Sequence, residues 1–246
     1  MPVRTLVSIW PLFAGLSLIG LAVGVQGSLL GVRAELEGFD DYLIGLLMSC
    51  YFAGFLAGSL LTPKMIQRVG HIRIFAALSA VASVTILVHS IYVNPWAWAL
   101  MRLLTGFAFS TIYVVSESWL NQASNNTNRG QVLSIYTAIL LAGICAGQFM
   151  LNVANPREFT LFILISVMVS VAAVPILLSV ITTPAIEETE RVTMRHLWYR
   201  TPMGVTGIVL SQWVSSILFG MGAVYATKLG FTVYEVANFM GAMMAG

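Results

Sequence analysis

The sequence is short of charge. Asp, Glu, Lys and Arg together make up 9% of its 246 residues, against 58% hydrophobic, and the mean hydropathy is +0.88. A water-soluble domain is about a quarter charged. With so few charges, the surface of a soluble fold would be mostly apolar. The chain therefore reads as a polytopic membrane protein whose solvent is lipid. Its net charge is only +2, which gives a nucleic acid no footprint to bind. Cysteine is also scarce. Cys50 and Cys145 each sit inside an apolar run and read as small hydrophobes, not as a disulfide framework or a metal site. H-E-x-x-H, G-x-S-x-G, C-x-x-C and a glycine-rich phosphate loop are all missing, and His71, His89 and His196 stand alone. Neither enzyme chemistry nor a cofactor is expected.

What is present is long apolar runs. Residues 5–32, 130–156 and 159–186 contain no Asp, Glu, Lys or Arg. A barrel strand would alternate over about ten residues, whereas a spanning helix needs about 20 apolar ones. The fold class is therefore all-α. Seven spans are expected at 6–31, 42–62, 74–93, 96–120, 132–153, 160–181 and 203–227, with an eighth starting at 234–246. Basic residues orient them. With the N-terminus cytoplasmic, the inner segments hold Arg4, Lys64, Arg68, Arg73, Arg129, Arg191, Arg195 and Arg200, and the outer ones only Arg33, Arg157 and Lys228.

An internal repeat organises the spans. At an offset of 192 residues, GFDDYLIGLLMSCYFAG (38–54) lies over GFTVYEVANFMGAMMAG (230–246). Gly38/Gly230, Phe39/Phe231, Tyr42/Tyr234, Met48/Met240, Ala53/Ala245 and Gly54/Gly246 coincide without a gap. Spans one and seven run in the same direction, so the repeat is parallel with six spans per half. That is the layout of a large class of secondary transporters. The domains read as a six-helix bundle (1–181), a cytoplasmic linker (182–202) and the start of a second bundle (203–246). The eighth span stops after about 20 Å at 1.5 Å per residue, short of the ~30 Å hydrocarbon core. The sequence is therefore expected to be a fragment, with the rest of the second half as its partner.

Candidate functional residues fall into two groups. In span four, Trp98, Arg102, Gly106, Phe109, Tyr113 and Ser116 share one helical stripe, with Glu117 at its edge. A guanidinium in a span has to face protein or water. Arg102 reads either as a cavity residue drawing a polar or anionic substrate group, or as a structural residue bonded to backbone carbonyls. Phe109 and Tyr113 line the same expected cavity. Glu117 reads either as a proton relay or as a partner for Arg68, Arg73 or Arg129 at the inner surface. Span five carries Gly143-Ile-Cys-Ala-Gly147, small residues that allow a close helix approach. Polar residues also occur in span one (Ser17, Gln26, Ser28) and span seven (Ser211, Gln212, Ser215, Ser216).

The loop after span two reads Thr62-Pro-Lys-Met-Ile-Gln67-Arg68-Val-Gly70-His-Ile-Arg73. It resembles the signature loop of the major facilitator superfamily, G-x-x-x-D-R-x-G-R-R, through Arg68 and Gly70, with Arg73 near the final base. Pro63 and Gln67 stand where that pattern has Gly and Asp. Arg102-Leu-Leu-Thr-Gly106 is similar to the superfamily's R-x-x-x-G in span four. Tyr51-Phe-Ala-Gly54, Leu60-Leu-Thr62, Val-Val-Ser-Glu117-Ser-Trp-Leu and Asn128-Arg129-Gly130 resemble its YcaD-like branch. The resemblance implies secondary transport of a small molecule by alternating access, in a bacterial inner membrane. It places spans one, four and seven around the cavity, which makes Gln26, Gln212 and Ser216 candidate ligands. Arg68, Gly70, Arg73, Glu117 and Arg129 are the candidate gating and coupling residues, with protons the candidate coupling ion. A non-transporting membrane scaffold or assembly factor, and an inactive fragment, remain the alternatives.

Overall fold

The computed structural model describes residues 3–178 and 194–245, with side chains for 9–178 and 196–245. The expectations on Arg4, on Glu187 to Arg191, on Arg195 and on the rest of 179–193 lie outside the described side chains. Ten helices follow in order: α1 (Val3–Leu36), α2 (Asp41–Val69), α3 (His71–Ile91), α4 (Pro95–Gln122), α5 (Arg129–Met150), α6 (Thr160–Ala172), α7 (Val174–Leu178), α8 (Met194–Arg200), α9 (Pro202–Lys228) and α10 (Val233–Ala245). Among the described residues, seven spans are long and apolar enough to cross a membrane, with α6 and α7 forming one of them. Pro175 follows the break between those two, where its missing N–H interrupts the backbone ladder. The molecule is an all-α polytopic bundle, as its composition requires.

Two boundaries differ from the sequence reading. Helix α1 does not stop at Gly31 but runs to Leu36. Gly31 is a packing position, where an added Cβ would meet Val224 at 2.9 Å. Likewise α2 continues through Pro63 to Val69. The expected loop of 63–73 shrinks to one residue, Gly70, at φ +87°. Only glycine takes up such a backbone without strain. Gly70 N–H closes α2 on Ile66 O, and α3 starts at the next residue.

Five neighbour relations build the six-helix half: α2 on α4, α1 on α5, α3 on α4, α1 on α6, and α3 on α6. Exchanging α1–α3 with α4–α6 maps this set onto itself, and the exchanged helices run in opposite directions. The half is thus an inverted pair of three-helix units, the nested symmetry known in such bundles. Glycines make the close approaches. Gly20 and Gly24 of α1 lie on the backbone of α5, and Gly143 and Gly147 of α5 lie on that of α1. Gly54 and Gly58 of α2 meet Leu103 O and Phe107 O of α4, and Gly106 meets Tyr51 O in return. In lipid there is no hydrophobic drive to press helices together, so this contact area and a few hydrogen bonds hold them. Gln148 Nε2 donates to Gly24 O at 2.9 Å and Gln148 Oε1 accepts from Ser28 at 2.5 Å, fastening α5 to α1. Ser83, Ser166 and Ser170 fasten α3 to α6 at 2.6–2.9 Å.

The second half begins as the first one does. After α1, the N–H groups of Glu37, Gly38 and Phe39 bond to the carbonyls of Arg33, Glu35 and Ala34. After α9, Leu229, Gly230 and Phe231 make the same three bonds to Tyr225, Thr227 and Ala226. Every partner is displaced by 192 residues. Gly38 (φ +74°) and Gly230 (φ +85°) occupy the left-handed position that ends both helices.

Candidate substrate cleft

Helices α1 and α9 are the repeat mates, and they lie side by side. Along α1 the positions 10, 14, 17, 21, 25, 28 and 32 form one stripe with helical spacing. Its first half is open: Trp10 is 57% exposed, and Ala14, Ser17 and Leu21 are half-buried. Its second half is closed: Val25, Ser28 and Val32 are at 1%, 0% and 2%. On α9 burial begins only near its last third: residues 202–218 are exposed or half-buried on every side, whereas Phe219 is half-buried and Ala223 and Ala226 are buried. The two helices therefore meet at the end that carries the 37–40 and 229–232 turns. The end that carries Gly70, residues 123–128 and Thr201 is the one where the α1 stripe is exposed.

The closing contacts lie on the repeat axis. An added Cβ on Gly27 would meet the Phe219 ring at 2.8 Å, and one on Gly31 would meet Ala223 at 3.8 Å. Phe219 is residue 27 plus 192, and Ala223 is residue 31 plus 192. Positions that touch their own repeat mates are those nearest a two-fold axis, so the axis runs between α1 and α9. Phe219 itself stood in no sequence motif. Its pairing with Gly27 under the 192-residue offset is the signal that could have found it.

The sequence-derived site residues do not form one constellation. Gln212 and Ser216 lie on the open part of α9, with Ser216 Oγ donating to Trp213 O at 2.9 Å. Gln26 is buried in α1, and its Nε2 has no partner among the described residues. Tyr113 is half-buried, also with its hydroxyl unpartnered. Phe109 departs from expectation, being wholly enclosed in the core. Arg102 departs further. It is 3% exposed, its guanidinium lies over the Tyr51 ring at 4.4 Å, and it reaches Met48 Sδ at 3.5 Å. Among the described residues no backbone carbonyl receives it. Nearby, Trp98 donates to Tyr92 O at 3.0 Å and packs edge-on against Phe39 and His89. The span-four stripe is thus mainly a packing face toward α2 and α3, with only its Tyr113 position half-open. A polar and aromatic stripe shows that a helix face avoids lipid. It does not tell water from protein on the other side.

The gating candidates lie at helix ends and are not joined to one another among the described residues. Arg68, Arg73 and Arg129 are exposed and no ion pair joins them to Glu117 among the described residues. Glu117 instead accepts from the Tyr136 hydroxyl at 3.1 Å, which links α4 to α5. Gly70 fills its expected turn. Residues missed by the sequence reading link α3 to α4 here: His71, fully buried, lies 3.1 Å from Ser118 Oγ and beside the Trp119 ring. No group of acidic, His or Cys side chains among the described residues is arranged to hold a metal.

The major facilitator superfamily profile matches residues 12–246. This chain belongs to the major facilitator superfamily. Among curated proteins it is 28% identical over 240 residues to an uncharacterized MFS-type transporter of Enterobacter sp. strain 638. It is 26% identical over 236 residues to the uncharacterized MFS-type transporter YcaD of Escherichia fergusonii. Each alignment covers 95% of this chain and 62% of the relative, so the chain spans about three-fifths of their length. Solved structures share its fold at 12% identity. A bacterial homolog of the human lysosomal transporter Spinster, inward-facing and unoccupied, superposes with TM-score 0.77 over 100% of this chain and 60% of that one. The nucleoside transporter NupG gives 0.74 over 95% and 64%.

Proposed function

We propose that the protein carrying this sequence is a secondary transporter that moves a small polar or amphipathic molecule by alternating access. The observation that carries this reading is the α1 stripe, one helical face open along its first half and sealed along its second. A scaffold has no need of such a face. A transporter does, because its midplane site has to reach one side at a time. The excess of bases at the open end supports a cytoplasmic N-terminus. The structure then corresponds to a state open to the cytoplasm and closed outside. Ser17, Gln212 and Ser216 are the polar groups assigned to the cleft walls, and Gln26 in α1 and Tyr113 in α4 are groups whose buried donors have no partner among the described residues. In this reading Arg102 is a positioning residue that ties α4 to α2 through Tyr51 and Met48. The remaining helices of the second half would complete the cavity. Proton coupling through Glu117 is part of the proposal, and Tyr136 would keep the carboxylate oriented.

The test is labelling of Ser17→Cys in the whole gene product, with Cys50 and Cys145 changed to Ser. A membrane-impermeant thiol reagent is expected to react in inside-out vesicles and not in right-side-out ones. Reaction from neither face would remove the cleft. A Glu117→Gln protein that keeps full pH-gradient-driven transport would end its coupling role. Uptake and resistance screens with the same protein identify the substrate.

A further inference from the structure

The closed end of the cleft carries an ion-pair cluster that spans the two halves. Lys228, the last residue of α9, pairs with Asp41 in the first turn of α2, and its Nζ lies 3.9 Å from Glu35 Oε2 near the end of α1. Of the other charges at this end, Arg157 and Glu158 are exposed, and Arg33, Glu37 and Asp40 have partners within the first half. Arg33 pairs with Glu37 at 2.6 Å and donates to Pro156 O at 3.1 Å, within the first half. Asp40 caps α2 by accepting from Tyr42 N–H at 3.1 Å. Lys228 is the cation that Asp41 and Glu35 meet among the described residues, and it belongs to the other half.

The repeat makes this pairing informative. The 192-residue mates of Lys228, Asp41 and Glu35 are Leu36, Val233 and Thr227. Symmetry alone supplies the backbone turns but none of these charges. The cation stands on one half and the two carboxylates on the other, across the line where Gly27 meets Phe219 and Gly31 meets Ala223. Any separation of α1 from α9 at this end has to break the cluster.

We propose that Lys228 with Asp41 and Glu35 is a latch that holds the outer end closed while the inner end stands open. This rests on the alternating-access reading. An exposed pair adds little to folding stability. A conformational equilibrium between two states of similar energy nevertheless responds to a small differential interaction. High salt screens exposed charges, so the latch also makes the closed state sensitive to ionic strength.

The experiment uses the whole gene product in cells, with Cys50 and Cys145 changed to Ser and Ala223→Cys as reporter. Ala223 is buried against Gly31, so an impermeant thiol reagent added outside reaches it only when the outer end opens. Lys228→Glu is expected to raise its labelling rate ~2- to 5-fold, the range open to an exposed ion pair. The swap of Lys228→Asp with Asp41→Lys is expected to return the rate to that of the parent. Lys228→Gln, with a smaller rise, serves if the reversed charge keeps the protein out of the membrane. A wedge at the same end, Gly27→Leu against Phe219, separates two kinds of failure. Labelling in the wedge but no rise in Lys228→Glu or Lys228→Gln overturns the latch. Labelling in none of them overturns alternating access at this end, and the latch with it.

Discussion

A guanidinium held inside a membrane bundle needs something to offset its lost hydration, and Arg102 finds a ring and a thioether, with no carboxylate. A desolvated cation over an aromatic face is worth ~2 kcal/mol or more. Tyr51→Leu is therefore expected to lower stability by about that amount, whereas Tyr51→Phe, which keeps the ring, stays near the parent. Thermal unfolding in detergent, followed by circular dichroism, measures both. Equal losses in the two variants would show that the hydroxyl matters and the ring does not. Gln148 is the complementary case, a neutral group that satisfies both ends of its amide on α1. Hydrogen bonds of this kind in bundles average ~0.6 kcal/mol each. Gln148→Leu should accordingly cost ~1 kcal/mol on the same assay, well below the loss expected from Tyr51→Leu.

Among the helices, glycine has two separate uses, and α2 shows both. Gly54 lies on the carbonyl of Leu103, so any Cβ there pushes α2 away from α4. Gly45 has nothing within 4 Å of an added Cβ. Gly54→Ala should thus destabilise by ~1–3 kcal/mol, as overpacking does. Gly45→Ala, nine residues earlier in the same helix, should stabilise by ~0.5–1 kcal/mol by removing backbone entropy from the unfolded chain. Opposite signs on one helix are the expected result, read as opposite shifts in unfolding temperature. Gly70 is a third situation. Its surroundings are open, so Gly70→Ala tests backbone conformation alone, at a cost of ~1–3 kcal/mol for a residue forced into φ +87°. The superfamily's signature loop is thus compressed into one residue, and its Gly is demanded by geometry whatever the gate chemistry does with Arg68 and Arg73.

For the molecule as a whole, the pseudo-two-fold axis between α1 and α9 makes a geometric prediction. Gly27→Cys with Phe219→Cys places two thiols on repeat mates that touch, and oxidation should join them. Ser17→Cys with Val209→Cys uses the same offset at the open end and should stay unjoined in the inward-open state. A protease site placed between residues 182 and 193 makes the outcome visible, since only the cross-linked protein stays in one piece after cleavage. Joining of both pairs would mean that the cleft closes along its full length, and that the difference between the ends of α1 is not a resting property.

The sequence by itself determined the solvent, the fold class and the repeat. The shortage of charge and the uncharged runs leave helices in lipid as the solution, because every backbone N–H and C=O has to be satisfied within its own segment. The 192-residue offset was legible for the same reason, since the turn bonds at Gly38 and Gly230 depend on local residues alone. The packing glycines were legible too: Gly143 and Gly147 lie on α1, while Gln212 and Ser216 lie on the stretch of α9 that is exposed or half-buried on every side. What the sequence could not decide was the neighbour across each face. Arg102 and Phe109 were expected on a cavity wall and are buried, and Glu117 is exposed beside Tyr136; what each meets depends on contacts between segments tens of residues apart. Only the tertiary structure put Tyr51 under Arg102, Tyr136 on Glu117 and Lys228 on Asp41. Periodicity reports which way a side chain leaves its own helix, and packing alone decides what waits there.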